Sequence, residues 1–414
     1  MQYYPFPEQK SWRYLFAAFL LLQLALTRSS MAATLIGFLP AQILMLGLIA
    51  VMGLMFLWQQ RRDLLRVFTD RRIGIAAGFA LVLLLPMLVK QDWQMMYVTV
   101  LLGLLLAVLM SFFATLKQTA KYYVLMLCGL SVYSIIATYV LRKLPDAGIL
   151  NVPRFVNTAG WEYYFFGLAN VSIEHVAIRN FGIFREPGVH QFFLLVGLYL
   201  TNYVIPWKQE RHMWTAAAIL AVTLVTTMAT GGVVALGLYI VVVFFDKKLY
   251  KNKAVLLLAI GAVIAAAIVL VWSFRVQNGI YWFVYDTLFE KFINRSDSVT
   301  ERAEGIAWNL SLFKQHPLFG ARLAEVLHGV ANNTSSTLVM LAGFGIPGCL
   351  LHIAGWVVLV WKRERNPIAN LGLLAVLFMG FNTQNLTWDL YFWLFPTMAL
   401  LEYLLPILPK QNRE

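Results

Sequence analysis

Apolar residues run in blocks of near-constant length along almost the whole chain. Each block approaches the roughly 20 residues that a helix needs to cross a hydrocarbon core. Blocks at 14–27, 33–58, 73–89, 94–116, 122–141, 188–205, 213–229, 231–245, 254–273, 336–361, 367–382 and 388–406 predict about twelve transmembrane helices. Only Gly231-Gly232 breaks the seventh from the eighth, so a count of eleven stays open. The expected fold class is an all-α polytopic membrane protein, a single transmembrane domain over 1–414. The opening MQYYPFPEQKSWRYLF has no basic stretch ahead of its apolar run and no small-residue cleavage site close behind. The first helix is therefore expected to be a retained span and not a signal peptide.

Two polar intervals break the rhythm of short connections, at 143–187 and 274–335. Long connections with structure of their own are commonly functional. In the second, Trp282, Phe283, Tyr285, Leu288, Phe289, Phe292 and Ile293 recur at helical spacing, with Asp286, Glu290 and Lys291 between them. This pattern fits a helix lying on the membrane surface, or equally an amphipathic helix packed on others. A further helix is expected from Glu301 to Gln315, stopping there because Pro317 disfavours helix at His316.

Composition agrees and adds orientation. The chain is 60% hydrophobic and 13% charged, against about 25% charged for a soluble domain. That excludes a soluble enzyme, a disordered chain and a disulfide scaffold. The net charge of +13 would suggest nucleic acid in a soluble protein. Here the basic residues cluster in alternate short connections: Lys10 and Arg13; Arg61, Arg62, Arg66, Arg71 and Arg72; Lys117 and Lys121; Lys208 and Arg211; Lys247, Lys248, Lys251 and Lys253; Lys362, Arg363 and Arg365; Lys410 and Arg413. Those 20 of 33 basic residues meet 8 acidic ones, a net of +12, which leaves +1 for the opposite face. The positive-inside rule then puts both termini and these connections in the cytoplasm and both long intervals outside. The excess charge is a topology signal, and no nucleic-acid partner is expected.

Cys128 and Cys349 lie within apolar blocks, and no Cys/His cluster has zinc spacing. Ionisable residues within the spans are few, which weakens an ion-coupled transporter. Glu402 and His352 read as satisfied structural groups, and Gln23, Gln42 and Asn382 as links between helices. Gly343-Phe-Gly-Ile-Pro-Gly348 matches GxGxxG, but it sits inside an apolar block and contains Pro347. A dinucleotide site needs a preceding strand, so close helix packing and a kink are expected instead.

The ionisable residues gather in the two outer intervals. The first holds Arg154, Glu162, Glu174, His175, Arg179, Arg185 and Glu186, with His190 just beyond. The second holds Arg275, Asp297, Glu301, Arg302, Glu304, His316, Arg322, Glu325 and His328. Several arginines beside a membrane suit a phosphate, whose oxygens a guanidinium binds in bidentate fashion. Singly, each also fits a surface ion pair. No DxD, HExxH or carboxylate cluster suited to Mg²⁺ is present, so no metal site is expected and arginine is expected to stabilise any leaving phosphate.

Asn180-Phe-Gly-Ile-Phe-Arg-Glu-Pro-Gly188, running into an apolar block, resembles the corresponding segment of Wzy-type polysaccharide polymerases, in the O-antigen polymerase/ligase superfamily. Ala229-Thr-Gly-Gly-Val-Val-Ala-Leu236, Arg302 with His316-Pro-Leu-Phe-Gly320, and Asn332-Asn-Thr-Ser335 before Gly343 resemble further elements in the same order. The likeness covers roughly 178–350. It implies a GT-C-like, metal-independent glycosyltransferase without a cofactor, at the periplasmic face of a bacterial inner membrane. The implied donor is a glycan on undecaprenyl pyrophosphate. The implied partners are that lipid-linked oligosaccharide, membrane lipids, and assembly proteins such as a flippase and a chain-length regulator.

By the resemblance, Arg185 and Arg302, with Arg322 nearby, are expected to hold the pyrophosphate. Glu186 or His328 is the expected base for the incoming hydroxyl, and His190, His316, Asn333 and Arg179 are further candidates. Glu186 also reads as a structural partner of Arg185, and His190 as a helix-start residue. The ligase branch often carries a histidine beside an asparagine at the end of the second interval. Asn332-Asn333 lacks one, which leaves the base open and favours polymerase over ligase. A flippase of the same glycan is the rival from another class. It would place essential residues along a central cavity, whereas catalysis places them in the outer intervals.

The orientation is directly testable. Alkaline phosphatase fused after Gly320 is expected to be active and after Arg363 inactive; the opposite pattern would invert the topology.

Overall fold

The computed structural model describes residues 10–61, 67–156, 162–173, 178–277, 279, 281, 285, 297–329 and 333–405. The surface helix expected around 282–293 falls outside these residues, apart from Tyr285, as do Glu174, His175 and Asn332.

All twelve apolar blocks fall on helices. In chain order they are α1 (Lys10–Leu26), α2 (Met31–Ile36) with α3 (Phe38–Gln59), α4 (Arg71–Lys90), α5 (Met95–Phe113), α6 (Leu116–Ile136), α8 (Pro187–Tyr203), α9 (Glu210–Thr226), α10 (Thr230–Asp246), α11 (Lys253–Val276), α14 (Ser336–Val360), α15 (Pro367–Phe381) and α16 (Leu390–Leu404). A short α7 (Lys143–Asp146) follows α6 through a π-turn, and α12 (Asp297–Gln315) and α13 (Leu323–His328) occupy the second outer interval. Among the described residues six helices are long and apolar enough to cross a membrane, and the others are shorter. The second block is interrupted at Gly37, whose φ of +91° separates α2 from α3. The seventh and eighth are parted at Thr227–Ala229, where Met228 is left-handed, and not at the two glycines.

The expectation of an all-helical chain needs one correction. The first outer interval carries a three-stranded antiparallel sheet, β1 (Arg154–Val156), β2 (Glu162–Phe165) and β3 (Asn170–Ser172). Its aromatic and β-branched residues suit a pleated surface. Tyr163 stacks on Phe155 at 5.1 Å, and the sheet joins the bundle through Tyr133, whose hydroxyl donates to the Phe166 carbonyl at 2.6 Å.

The core lies where α8, α14, α15 and α16 meet, around Phe192, Trp356, Phe381 and Phe392. Several buried polar groups find partners in backbone carbonyls or in one another, as an apolar medium favours. The Tyr391 hydroxyl donates to Leu20 O (2.6 Å), that of Tyr123 to Phe193 O (3.0 Å), and Trp356 Nε1 to His352 Nε2 (2.8 Å). Glu402 accepts from the Leu116 amide at 2.7 Å. Glu402 thus ties α6 to α16, and His352 accepts from Trp356 while its Nδ1 has no hydrogen-bond partner among the described residues. By contrast the most apolar stretch of α11 contains no buried residue among the described residues.

The decoy motif has a clear structural use. Gly345 takes φ +67° within α14, and Pro347 contributes no amide, so the helical ladder opens. The His316–Gly320 loop fills the opening: Ile346 N donates to Pro317 O (2.9 Å) and Ala321 N to Ala342 O (2.6 Å). Lys90 Nζ then bonds Ala321 O (2.7 Å) and Gly343 O (3.3 Å), while Asp92 accepts from Leu323 N at 2.5 Å. The PLFG segment and the GxGxxG match therefore form a single joint.

Gly320 has φ +67°, and an added Cβ would lie 2.5 Å from Ala342 O. Gly320→Ala is expected to cost about 1–3 kcal/mol of stability, read as a lowered unfolding temperature in detergent. Gly129→Ala, with nothing within 4 Å of the added carbon, should change it little.

Candidate functional site at the outer face

The Asn180–Gly188 segment is a platform built on three helices. Asn180 N donates to Thr226 O (2.9 Å) at the end of α9. Its side-chain amide donates to Ser134 Oγ (3.0 Å) and Thr226 Oγ1 (3.1 Å), and its Oδ1 accepts from Gly182 N at 2.9 Å. Gly182 has φ +57°, and its Cα hydrogens face the His190 ring so closely that a Cβ would come within 2.7 Å of it. His190 is 2% exposed, its Nδ1 3.4 Å from Asn180 O. It supports the turn from below and does not open onto the outer surface.

The same segment pairs with the turn between α1 and α2. Arg185 N donates to Ser29 O (3.0 Å), Met31 N donates to Ile183 O (2.9 Å), and Ser30 bridges Phe184. The turn is in turn fixed by Asp389, which is 1% exposed ahead of α16. Its carboxylate accepts from Thr27 Oγ1 (2.7 Å), Ser29 N (3.1 Å) and Ser29 Oγ (2.5 Å). The residue carried between Thr27 and Ser29 is Arg28, which the sequence reading did not single out.

Arg28 lies 5.0 Å over the Phe38 ring. Burial first, and then repulsion from Arg185, pull its guanidinium down to about 10, against a partial pull upward from Asp389. Two arginines are thus held within each other's field on rigid backbone. Arg185 forms a 3.8 Å ion pair with Glu186, and the two side chains are 37% and 44% exposed. Its buried Nε has no hydrogen-bond partner among the described residues. Asp389 and Glu186 together balance the two guanidiniums, and it is the unbonded Nε of Arg185 that offers a charged donor to an anion. A sequence signal for Arg28 exists only in hindsight: Thr-Arg-Ser-Ser at the outer end of the first span.

Other expected site residues take different places. Arg179 donates from Nε to Thr227 O (3.2 Å) and from an Nη to Met228 O (3.1 Å), closing the carboxyl end of α9. Burial lowers its guanidinium, and Tyr163 and Glu186 offset this. Asn333 spends its amide on Asn309 (2.7 and 3.2 Å) and Val326 O (2.9 Å), tying α12 to α13. Arg302 is half-buried on α12, with its Nε lacking a hydrogen-bond partner among the described residues. His328 is exposed at the end of α13.

Arg322 and His316 line a second opening, with Lys90, Gln91 and Glu325, of about 550 Å³. The two clusters are linked through the joint of α14, since Phe344 packs 6.2 Å from Trp388, the residue before Asp389. The small residues Gly231 and Gly232 open α10 against Gln191 and Thr383, which bond each other. They keep the outer ends of α8, α10 and α15 close together.

No curated protein matches the chain. A family model described as O-antigen ligase matches residues 215–353, a span that begins in α9 and includes α10, the second outer interval and the α14 joint. That match supports placing the chain in the O-antigen ligase/polymerase superfamily, as the motifs at 180–188, 229–236, 316–320 and 332–335 imply.

Proposed function

We propose that this chain is a membrane glycosyltransferase that polymerises oligosaccharide repeat units carried on undecaprenyl pyrophosphate, at the periplasmic face of an inner membrane. The observation that carries this reading is the pairing of Arg28 and Arg185 on one fixed platform beside Glu186. Breaking the bond from sugar C1 to pyrophosphate leaves a multiply charged anion. Guanidiniums already oriented toward it stabilise that charge as it develops, without reorganisation of solvent.

Glu186 takes the proton from the incoming sugar hydroxyl, which attacks C1 from the face opposite the departing pyrophosphate. The carboxylate stands next to the arginine pair, whereas His328 lies at the exposed end of α13. Arg302, Arg322 and His316 belong to the second interval, where they suit the remaining phosphate and the acceptor glycan. The ligase reaction, transfer to lipid A–core, is the second reading, favoured by the description of the matching family. Both reactions use the same donor chemistry and differ in the acceptor.

Purified protein reconstituted with lipid-linked oligosaccharide in EDTA is expected to give a ladder of longer glycans. Transfer confined to lipid A–core would establish the ligase reading instead. Arg28→Ala and Arg185→Ala are each expected to lower turnover by about 10²–10³, the usual effect of removing a donor to a developing oxyanion. Full activity in both variants would sink the assigned site. Arg179→Ala, which uncaps α9, is expected to lower stability by about 1–3 kcal/mol and to leave turnover per folded molecule near wild type.

A further inference from the structure

The opposite end of the bundle carries a cavity that the proposed reaction does not use. It has a volume of about 640 Å³ and lies where α6 begins and α14 and α16 end. One wall is apolar, made by Val357, Val358, Leu359 and Ala399; the rim carries Trp361, Lys362, Arg363, Glu402 and Tyr403. Trp361 and Tyr403 are 39% and 52% exposed, as aromatic side chains are at a membrane–water interface.

The charges of this rim are unequal in their commitments. The connection from α14 to α15 holds three cations, and Arg365 is spent internally. It lies 3.7 Å from Asp246 and donates to Val360 O at 3.0 Å. Asn370 clamps the loop backbone at both the amide and the carbonyl of Lys362. Lys362 and Arg363 are therefore presented on a fixed loop, and neither forms an ion pair with a described residue. The carboxylate of Glu402 is already held by the Leu116 amide at 2.7 Å. The cavity thus offers two uncommitted cations above an apolar wall.

We infer that this cavity binds the headgroup of a glycerophospholipid, with its phosphodiester on Lys362 and Arg363 and its glycerol and upper acyl carbons along Val357 and Val358. A cation above an apolar wall at interface depth matches the order of groups in a lipid, phosphate outermost and hydrocarbon within. A soluble phosphate would use the cations and leave the wall without a function. Glu402 on the rim and Glu364 in the loop keep carboxylates close to the two cations, so the site selects the phosphodiester and its hydrocarbon and not the net charge of the headgroup. The charge pattern of the chain assigns this end to the cytoplasmic leaflet, so the site is independent of the donor at the outer face.

The test is native mass spectrometry of the full chain released from detergent micelles, with phosphatidylglycerol, phosphatidylethanolamine or glycerol 3-phosphate added. Phosphatidylglycerol and phosphatidylethanolamine are both expected to remain bound, and glycerol 3-phosphate not at all. The double variant Lys362→Gln/Arg363→Gln is expected to lose about 30-fold in affinity for phosphatidylglycerol, as two interfacial cations would provide. Its unfolding temperature without lipid should match wild type, which separates loss of binding from loss of fold. Equal binding by wild type and variant, or glycerol 3-phosphate held as tightly as lipid, would overturn the site.

Discussion

A buried carboxylate organises the outer end of this protein. Asp389 stands ahead of the last helix in an environment that would heavily penalise an unpartnered charge. Three donors, all from Thr27 and Ser29, satisfy it. Hydrogen bonds to an ionised acceptor are roughly twice as strong as neutral ones, so the turn after the first helix has little freedom. Arg28 is fixed because its neighbours on both sides are. Residues 183–185 then pair with the same turn, and Arg185 arrives beside Arg28. Residues more than 350 positions apart thus decide that Arg28 and Arg185 lie near enough to repel one another.

The second constraint is the open rung of α14. A span that loses its helical ladder in an apolar medium must find other partners for its backbone. The loop at 316–321 supplies them, and Lys90 and Asp92 lock it from the α4–α5 connection. The cluster lined by His316, Arg322 and Glu325 therefore rests on a kinked span and not on a mobile surface loop. Phe344 and Trp388 connect this joint to the Asp389 turn, so the two outer clusters share one support.

Charge is divided between the two faces with different consequences. On the face that carries the two long intervals, arginines and carboxylates nearly balance, and backbone pairing sets where they stand. Inside, the cations lie in short connections, where most serve orientation. Arg365 is an exception, bound to Asp246 beneath the Tyr203 ring. Lys362 and Arg363 in the same loop form no ion pair with a described residue.

The hydrophobic rhythm alone determined the helices, because an apolar solvent accepts few other forms of backbone and their length is set by the bilayer. The kink at Gly343–Gly348 was legible for the same reason: glycine and proline act locally. The sheet at 154–172 was not, since its short strands are stabilised by pairing and aromatic contact with the bundle and carry little local signal. Site residues divide along the same line. Arg185 and Glu186 were visible through their motif, and the structure keeps them together. Arg28 had no motif, and His190, Arg179 and Asn333 were candidates that the packing turned into supports. Sequence set the expectation of which chemical groups share a side of the membrane, through local hydropathy and charge. Only the tertiary structure decided which of them face one another, because that depends on contacts between residues far apart in the chain.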